Sequence, residues 1–367
     1  MDKIVDKGAT VIVDAFWGDG GKGAVGAWMA YLLNAKMALR GCGGPGAEHG
    51  IFFQNKYIKT NQLPLSFLIQ GCNIGIGPGT AVDPVKLFEE IERFELGPEH
   101  ITIDPRCPIV THEHIRLEKK SANMKKIGST FSGMGRCMSD AVLRTAILAK
   151  DVPELKQYIG DVPSLVNEIA SKQNVILESS QGFGLSRYFG FDNFVTSVDV
   201  TTGSVIAGVG FDWRLVKKVV LVVKALPTRE GTGPMGDVDE FTPEEMKKLG
   251  IAETSSIVNL ETGKTQIRRK AKSIDWDILK KAAMVNGATE VALTFAEHYD
   301  PEVNNATRWC MLTKKILGLI KKIEDVTNAP VTMVNTGKPF NSFVTTYRDS
   351  LDLSEGTLQR LNSYCQR

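Results

Sequence analysis

The run Ala9-Thr-Val-Ile-Val-Asp-Ala-Phe16 leads directly into Trp17-Gly-Asp-Gly-Gly-Lys-Gly23, and this junction decides the fold. Its first half is apolar and β-branched, which is typical of a strand buried on both faces of a sheet. Residues 24 to 35 then place apolar side chains at helical spacing. The sequence therefore predicts a central strand, a glycine loop and a helix, in that order.

Outside this junction, strand-like and helix-like segments alternate along the chain. Further strands are predicted at 36–39, 73–76, 100–103, 175–177, 219–223, 290–294 and 331–334. Helices are predicted at 24–35, 84–94, 139–149, 163–172, 276–286 and 314–326. Such alternation predicts an α/β fold with a mainly parallel central sheet flanked by helices. Because the sequence shows no internal repeat and no Pro/Ser-rich linker, we expect a single elaborated domain over residues 1–367.

Charge and composition exclude several classes of protein. The chain has 367 residues, with 44 Lys+Arg against 42 Asp+Glu, and this near balance argues against a nucleic-acid or membrane-surface protein. Its apolar stretches are too short to span a bilayer, and its charged N-terminus does not resemble a secretory signal, so a cytoplasmic location is expected. The six cysteines form no CxxC pair and are predicted to be reduced and mostly buried.

The glycine loop after the first strand is the first candidate binding site. A glycine turn that opens a helix directs backbone N–H groups and the helix dipole at an anion. The loop is P-loop-like but lacks the GxxxxGK[ST] spacing. Asp19 is a candidate magnesium ligand or general base, with an Asx-turn as the structural alternative. The predicted nucleotide-binding residues of the loop are Gly18, Gly20, Gly21, Lys22 and Gly23.

A second glycine loop, from Arg40 to Gly50, follows the next predicted strand and contains His49. Ligands of parallel sheets bind at the carboxyl ends of strands, so His49 is a candidate catalytic residue. His112 and His114 would share one face of a strand. Because no third histidine or cysteine lies near them in sequence, we expect a surface or interface role for this pair, not a metal site.

Together with these two loops, further blocks of the sequence resemble the adenylosuccinate synthetase family, particularly its short archaeal and phage-type form, which includes phage 2-aminoadenylosuccinate synthases. The order of the blocks agrees over nearly the whole chain. They are Gly71–Pro84, Lys126–Thr130, Gln181–Leu185, Val195–Ser197, Pro227–Pro234 and Asn335–Gly337.

The resemblance implies a magnesium-dependent C–N ligase of purine biosynthesis that joins aspartate to C6 of a 6-oxopurine nucleotide such as IMP. A nucleoside triphosphate, GTP or ATP, first phosphorylates the 6-oxygen, and aspartate then displaces the phosphate. Asp19 would take the proton from N1 and bind Mg²⁺, and His49 would stabilise the charge on the oxygen and the phosphoryl group. On this basis two turns at neighbouring strand tips bring Asp19 and His49 to one purine oxygen.

The same resemblance implies the binding residues. The acceptor nucleotide would be held by Gln181, which is also placed in the catalytic group, and by Thr130, Arg144, Thr196 and Arg229, with Arg144 reaching across a homodimer interface. Mg²⁺ would also bind the main-chain carbonyl of Glu48. The donor nucleotide would be held by Glu297, Asn335, Thr336 and Gly337 in addition to the glycine loop.

Several positions depart from the family pattern. Gly20 stands where the family has Glu, Gly46 replaces an Asn, and the side chain of Glu48 could raise the pKa of His49 or add a metal ligand. The amino-acid loop differs most, and its candidate aspartate-binding residues are Thr265, Arg268 and Arg269, with a solvated basic loop as the alternative.

These departures leave four alternatives open. The acceptor is IMP or dGMP, and the retained Asp19 favours IMP. The donor is GTP or ATP, and the amine is aspartate or another amine. A nucleotide-binding regulatory paralogue without ligase activity remains the alternative of another class. If the chain is phage-encoded, its location is the host cytoplasm.

Overall fold

The structure is a computed structural model that describes residues 7–53, 56–258 and 265–347. Nine of the described strands form one sheet in the order β15-β14-β13-β8-β1-β7-β2-β5-β6. Three small two-stranded sheets, β3-β4, β9-β12 and β10-β11, lie outside it. The strands are β1 (Gly8–Asp14), β2 (Met37–Arg40), β3 (His49–Phe53), β4 (Lys56–Thr60), β5 (Asn73–Ile76), β6 (Ile101–Ile103), β7 (Asn174–Glu178), β8 (Val216–Lys224), β9 (Thr228–Arg229), β10 (Thr254–Val258), β11 (Thr265–Ile267), β12 (Arg269–Lys270), β13 (Glu290–Thr294), β14 (Val331–Asn335) and β15 (Phe343–Thr345).

Helices cover both faces of the large sheet. The α-helices of the described residues are α1 (Lys22–Leu32), α2 (Pro84–Arg93), α3 (His112–Lys120), α4 (Ala122–Ile127), α5 (Met134–Leu143), α6 (Val162–Lys172), α7 (Thr202–Val209), α8 (Pro243–Lys248), α9 (Trp276–Asn286), α10 (Ala296–Tyr299) and α11 (Lys314–Thr327), and α1, α2, α6, α7, α9 and α11 pack against the sheet. Within the described residues, neighbouring strands of this sheet run parallel except for the antiparallel pair β14-β15. The predicted α/β fold with a mainly parallel sheet is confirmed.

The core forms two layers because side chains alternate across each strand. All seven residues of β1 are buried. Val11 and Val13 join the apolar cluster under α6, α7, α9 and α11, whereas Ile12 joins the cluster under α1 and α2. This two-sided burial explains why β1 is an uninterrupted apolar run, and it fixes the glycine loop at the carboxyl edge of the sheet.

The two strands that lead into the glycine loops are not neighbours in the sheet. β1 and β2 were expected to be neighbours, but β7 lies between them and pairs in parallel with both. After β6 the chain crosses back to the centre of the sheet, where β7 pairs between β1 and β2. Local sequence does not specify such a long connection. As a result, Glu178 at the end of β7 stands between the glycine loop and the strand that leads to His49.

Two local predictions were wrong. The helix predicted at 139–149 is α5, which begins at Met134 and ends at Leu143, because Arg144 adopts a left-handed conformation with φ 64°. His112 and His114 lie in helix α3, not on a strand. Nδ1 of His114 accepts a hydrogen bond from the Thr111 N–H, and its Nε2 lies 3.0 Å from Asp140. The remaining predicted elements agree with the structure to within a few residues at their ends.

Cysteine burial agrees with the prediction of reduced thiols. Cys42, Cys72, Cys107 and Cys137 are buried and free, Cys310 is free and exposed, and Cys365 lies outside the described residues. In the ranges that the structure describes, the helices are all too short or too polar to cross a bilayer.

Candidate active site

The glycine loop is built around the buried side chain of Asp14. Its carboxylate accepts hydrogen bonds from the N–H groups of Phe16 at 2.9 Å and Gly20 at 3.0 Å. Gly18 and Gly21 have φ angles of 87° and 85°, a backbone region that favours glycine. A Cβ atom on Gly20 would lie 2.3 Å from Asp14 Oδ2, so the loop has no room for the glutamate that the family carries there.

Lys22 is the first residue of α1 and is buried beneath the loop. Its ammonium lies 3.4 Å from Asp14 Oδ2 and donates a hydrogen bond to the main-chain carbonyl of Gln181. These contacts hold one positive charge among the backbone N–H groups at the start of a helix. This combination attracts the phosphate groups of a nucleotide.

Asp19 lies at the tip of the loop with a φ angle of 55°, a strained conformation for a residue with a side chain. Its Oδ2 atom lies 3.0 Å from Nε of Arg268. Burial raises the pKa of Asp19 to about 6, although the charge of Arg268 opposes that shift. A carboxyl group whose pKa lies near neutrality is suited to general base chemistry.

His49 begins strand β3, and its Nδ1 atom lies against Oε1 of Glu178. Burial lowers the pKa of His49 to about 4, with the nearby Arg40 charge acting in the same direction. Burial opposes ionisation of Glu178, but the contact with His49 and the charge of Arg40 favour the carboxylate, so the pKa of Glu178 is lowered. Arg40 Nη1 lies 3.5 Å from Glu178, and its Nη2 donates to Ser180 at 2.8 Å. At neutral pH the site therefore holds a neutral imidazole against an ionised carboxylate.

Two glycines of helix α1 allow this close approach. A Cβ atom on Gly23 would lie 2.9 Å from the His49 Cβ, and one on Gly26 would lie 2.8 Å from Glu178 Oε2. Larger residues at these positions would displace the imidazole or the carboxylate. The two glycines of α1 therefore leave the space that the His49 and Glu178 side chains occupy.

One cavity of about 350 Å³ joins these groups. Asp19, Lys22 and His49 line it together with Gln181, Thr130, Thr196 and Arg229. Gln181 has a φ angle of 48°, and its buried side-chain oxygen has no hydrogen-bond partner among the described residues. Such an atom is suited to accept a hydrogen bond from a bound ligand. The structure thus brings most of the predicted acceptor-site residues to one place.

Two cavity residues have partners that the sequence did not reveal. Arg229 donates hydrogen bonds to the main-chain carbonyls of Thr232, Pro234 and Phe194, so its guanidinium organises the cavity wall. The carboxylate of Glu48 accepts hydrogen bonds from Tyr57 and Lys59, each at 3.1 Å. The suggestion that Glu48 raises the pKa of His49 was wrong, because burial and Arg40 lower that pKa.

Gly46 stands where the family has Asn, and its neighbours explain the change. A Cβ atom there would lie 2.6 Å from the Ser132 hydroxyl and 2.9 Å from the Thr130 hydroxyl. The two hydroxyls, 3.4 Å apart, occupy this part of the wall. The replacement therefore reshapes the cavity and does not simply enlarge it.

The predicted donor residues lie at the ends of β13 and β14, beside the glycine loop. Thr294 donates a hydrogen bond to the carbonyl of Gly20 at 2.7 Å, and a Cβ atom on Gly21 would lie 3.3 Å from the Phe295 ring. Burial raises the pKa of Glu297 to about 7, and its Oε2 is buried without a partner among the described residues. The segment Asn335–Gly337 is folded on itself through a 3.0 Å hydrogen bond from the Asn335 amide to Gly337 O.

Among the residues predicted to bind the acceptor and the amino acid, Arg144, Arg268 and Arg269 do not line the cavity. Arg144 is exposed at the end of α5. Arg268 contacts Asp19, Glu230 and Glu253, and Arg269 pairs with Glu240 and donates to the carbonyls of Gly231 and Gly233. Thr265 begins strand β11, and its side chain lies outside the described part of the chain.

Sequence reasoning missed Glu178, Asp14 and Glu253. Glu178 and Asp14 are charged residues that end buried apolar strands, which is the one local signal that could have identified them. Glu253 gave no such signal, since its partners Lys224, Arg268 and Lys270 are distant in sequence.

The parallel sheet, the glycine loop and the cavity at its carboxyl edge define a nucleotide-binding α/β protein with acid–base side chains in its pocket. The family model for adenylosuccinate synthetase matches residues 11–154 and 148–301. The adenylosuccinate synthetase of Archaeoglobus fulgidus is 38% identical over 94% of this chain and 100% of its own length. That of Methanocaldococcus jannaschii is 37% identical over 92% of this chain and 96% of its own. The chain belongs to the adenylosuccinate synthetase family of C–N ligases.

Two solved structures share the fold. Fully ligated adenylosuccinate synthetase from Plasmodium falciparum has a TM-score of 0.80 at 20% identity, covering 92% of this chain and 99% of its own. The succinoaminodeoxyadenylate synthetase PurZ of cyanophage S-2L, bound to dGMP and to dATP as an energy donor, has a TM-score of 0.77 at 24% identity, covering 98% and 99%. At these identities the likeness supports the fold alone.

Proposed function

We propose that the protein joins aspartate to C6 of IMP, using a nucleoside triphosphate, by way of a 6-phosphoryl intermediate. The observation that carries this proposal is the meeting of Asp19, Lys22 and His49 in one cavity of about 350 Å³. The 6-oxygen of the purine leaves poorly until it is phosphorylated. The reaction therefore needs a base for the ring proton and positive or hydrogen-bonding groups around the phosphoryl group.

Asp19 is the proposed base. Its carboxylate takes the N1 proton as the 6-oxygen attacks the γ-phosphorus, so that electron density moves from N1 through the ring to the oxygen. The raised pKa of about 6 suits this step, because the carboxylate is ionised at neutral pH yet basic enough to hold a proton. Gln181, whose side-chain oxygen has no partner in the described part of the chain, holds the purine edge beside it.

His49 is the proposed stabiliser of the transferred phosphoryl group. Its imidazole is neutral in the ligand-free protein because burial and Arg40 lower its pKa. Anionic phosphates bound beside it would add negative charge and favour the imidazolium form. The Glu178 carboxylate then stabilises that cation from Nδ1 and fixes the ring orientation.

The acceptor phosphate is assigned to the wall formed by Thr130 and Thr196. Both residues line the cavity, and their hydroxyl groups can donate to phosphate oxygens. Arg229 is proposed to keep this wall in shape, since its guanidinium is satisfied by main-chain carbonyls.

The residues present fit a magnesium ion. Mg²⁺ is commonly held by one or two carboxylates together with substrate phosphates, so a cage of several acidic residues is not required. Asp19 and Glu48 line the same cavity, and the Asp19 carboxylate and the main-chain carbonyl of Glu48 would hold the ion there. When bound, the ion would neutralise phosphate charge.

An assay of substrate combinations tests the proposal. Purified protein is incubated with IMP or dGMP, with GTP or ATP, and with a panel of amino acids, and phosphate release and product mass are followed. Phosphate release and a succinyl adduct only with aspartate and IMP support it. If the protein turns over dGMP instead of IMP, dGMP is the acceptor. If it uses another amine instead of aspartate, that amine is the co-substrate. Nucleotide binding without release in every combination indicates a regulatory paralogue.

The donor assignment predicts a pH dependence. An ionised Glu297 accepts hydrogen bonds from N1 and N2 of guanine, and protonation below its pKa of about 7 removes that acceptor. For GTP as donor, the KM for GTP should therefore fall about tenfold as the pH rises from about 6 to about 7.5. Glu297→Gln should flatten this dependence, whereas Glu302→Gln, an exposed control, should keep it. If the KM for GTP depended on pH in the same way in wild type and Glu297→Gln, Glu297 would not contact the donor nucleotide.

We also propose a homodimer that carries Arg144 into the partner's cavity. Arg144 is exposed beside Val142, Leu143 and Ile147, whose apolar side chains are largely exposed and form a candidate interface. Arg144→Ala should raise the KM for the acceptor nucleotide about 30-fold, the value of a charge-assisted phosphate contact.

Localisation of the protein in the cytoplasm stays a prediction.

A mixing experiment distinguishes this role from a surface ion pair. Arg144→Ala and Asp19→Asn proteins are each purified, then unfolded and refolded together. Heterodimers contain one intact cavity, so about one quarter of wild-type activity should return. A mixture no more active than its components contradicts a shared site.

A further inference from the structure

Arg268 joins Asp19 to two other carboxylates of the protein. Its Nε atom lies 3.0 Å from Asp19, its Nη2 atom 2.9 Å from Glu230, and its Nη1 atom 3.3 Å from Glu253. The side chain is mostly buried, with 14% of its surface exposed. One guanidinium therefore uses all of its nitrogens on carboxylates that belong to three different segments of the chain.

Glu253 fixes Arg268 from the side away from Asp19. It accepts hydrogen bonds from the buried ammonium groups of Lys224, at 2.8 Å, and Lys270. The Arg268 N–H also donates to the Glu253 carbonyl at 2.9 Å. Lys224 ends β8, which pairs with β1, the strand that leads into the glycine loop. A continuous series of ionic contacts thus runs from the central sheet to the tip of that loop.

The charges within this network are balanced. Asp19, Glu230 and Glu253 supply three carboxylates, and Arg268, Lys224 and Lys270 supply three cations. Charge-assisted hydrogen bonds between enclosed groups restrict the orientation of each side chain. The positive charge of Arg268 is already matched inside the protein, so a substrate carboxylate could reach it only by displacing one of these partners.

Asp19 needs such support because of its position. It stands at φ 55° on a loop with glycines on either side, where the backbone alone restricts its carboxylate little. A proton acceptor must be held within hydrogen-bond reach of the proton it removes. We infer that Arg268 is a positioning residue that aims the Asp19 carboxylate at the purine, and that it is not the residue that binds the amino acid. This inference rests on the proposed function and assigns a residue to its first step.

The two roles of Arg268 can be separated because the reaction has two steps. The first step moves the γ-phosphoryl group from the triphosphate to the purine oxygen, releases the diphosphate and places the N1 proton on Asp19. It needs no amino acid. Its reversal scrambles an oxygen label between the β-nonbridging and the β,γ-bridging positions of the triphosphate. Positional isotope exchange with IMP, GTP and Mg²⁺ therefore measures the first step alone.

The experiment compares Arg268→Gln, Arg268→Lys and the control Lys272→Gln by isotope exchange and by full ligation over a range of aspartate concentrations. Lys272 is a basic residue of the same segment that pairs with Glu245 near the surface. Arg268→Gln should slow exchange about 100-fold, since misplacing a reacting group by about an ångström has that effect. Arg268→Lys should slow it about tenfold, because a single ammonium cannot bridge the same carboxylates. Lys272→Gln should exchange normally, and the KM for aspartate should change less than about threefold in all three variants.

Two results overturn the inference. The first is an Arg268→Gln protein that exchanges within about twofold of wild type while its KM for aspartate rises, which assigns Arg268 to the amino acid. If thermal melting shows that Arg268→Gln does not fold, an Arg268→Lys protein with wild-type exchange overturns it equally. Wild-type protein that neither exchanges nor ligates with any nucleotide instead overturns the proposed function, and the inference falls with it.

Discussion

Replacing Asp19 with asparagine should lower the rate of ligation about 1,000-fold, within the range that a positioned general base contributes. Asparagine has nearly the same shape as aspartate but cannot take the N1 proton. The substitution should leave the fold intact, because Arg268 retains Glu230 and Glu253 as ionic partners. The rate of product formation and the rate of isotope exchange should fall together, since the loss lies in the first step.

The matched control is Asp277→Asn, which removes an exposed carboxylate from helix α9 and should keep normal activity. Calorimetry should show that Asp19→Asn still binds the acceptor nucleotide within about threefold of wild type, because the phosphate and purine contacts remain. Turnover of the Asp19→Asn protein at a rate near that of wild type would show that the N1 proton leaves by another route.

His49→Asn should lower ligation by about 100-fold to 1,000-fold, the usual effect of removing one stabilising donor from a transition state. The substituted amide cannot become a cation, so charge on the phosphoryl group is no longer neutralised. Glu178→Gln should act in the same direction, but by about tenfold, because it leaves the imidazole in place while removing the carboxylate that supports its charged form. Single-turnover phosphorylation of the purine measures both variants.

His112→Asn is the control for His49, since His112 is exposed at the start of α3. The Glu178→Gln protein also needs a stability measurement, because Arg40 loses a buried ionic partner. If His49→Asn retained the rate of the control, the phosphoryl group would have to be stabilised entirely by Lys22, the loop N–H groups and the metal.

Sequence periodicity located most of the elements because the signals for them are local. The predicted ranges 73–76, 276–286 and 290–294 coincide with β5, α9 and β13. Helix α9 illustrates why: Asp275 precedes it and accepts the N–H groups of Asp277 and Ile278, while Gly287 follows its last residue.

Helix α5 shows where local signals fail. Its N-terminus has no side-chain cap of its own, because Gly133 occupies that position. The cap comes instead from Glu118 of helix α3, whose buried carboxylate accepts the N–H groups of Gly133 at 2.7 Å and Gly135 at 2.8 Å. A start that depends on a residue from another helix cannot be recognised from the segment itself.

The residues of the candidate site also differ in whether local sequence identifies them. Asp19, Lys22 and His49 were found from the sequence because each lies in a glycine loop that follows a buried strand. Their partners were not found, because Glu178 ends β7 and Arg268 lies between β11 and β12, and both segments are distant in sequence from the two glycine loops. The residues proposed to act could therefore be identified from the sequence, while the residues that contact them could not.

The contact between strand β13 and the glycine loop limits how donor preference can be altered. Thr294 is hydrogen-bonded to the carbonyl of Gly20, and the next residues, Phe295 to Glu297, form the edge assigned to the nucleobase. Anyone who exchanges this edge to obtain an enzyme that accepts a different triphosphate will also shift the turn that carries Asp19. Engineering of the donor preference should therefore leave Thr294 and Phe295 unchanged and vary Glu297 first. The change in donor preference will be smaller, but the turn that carries Asp19 will keep its conformation.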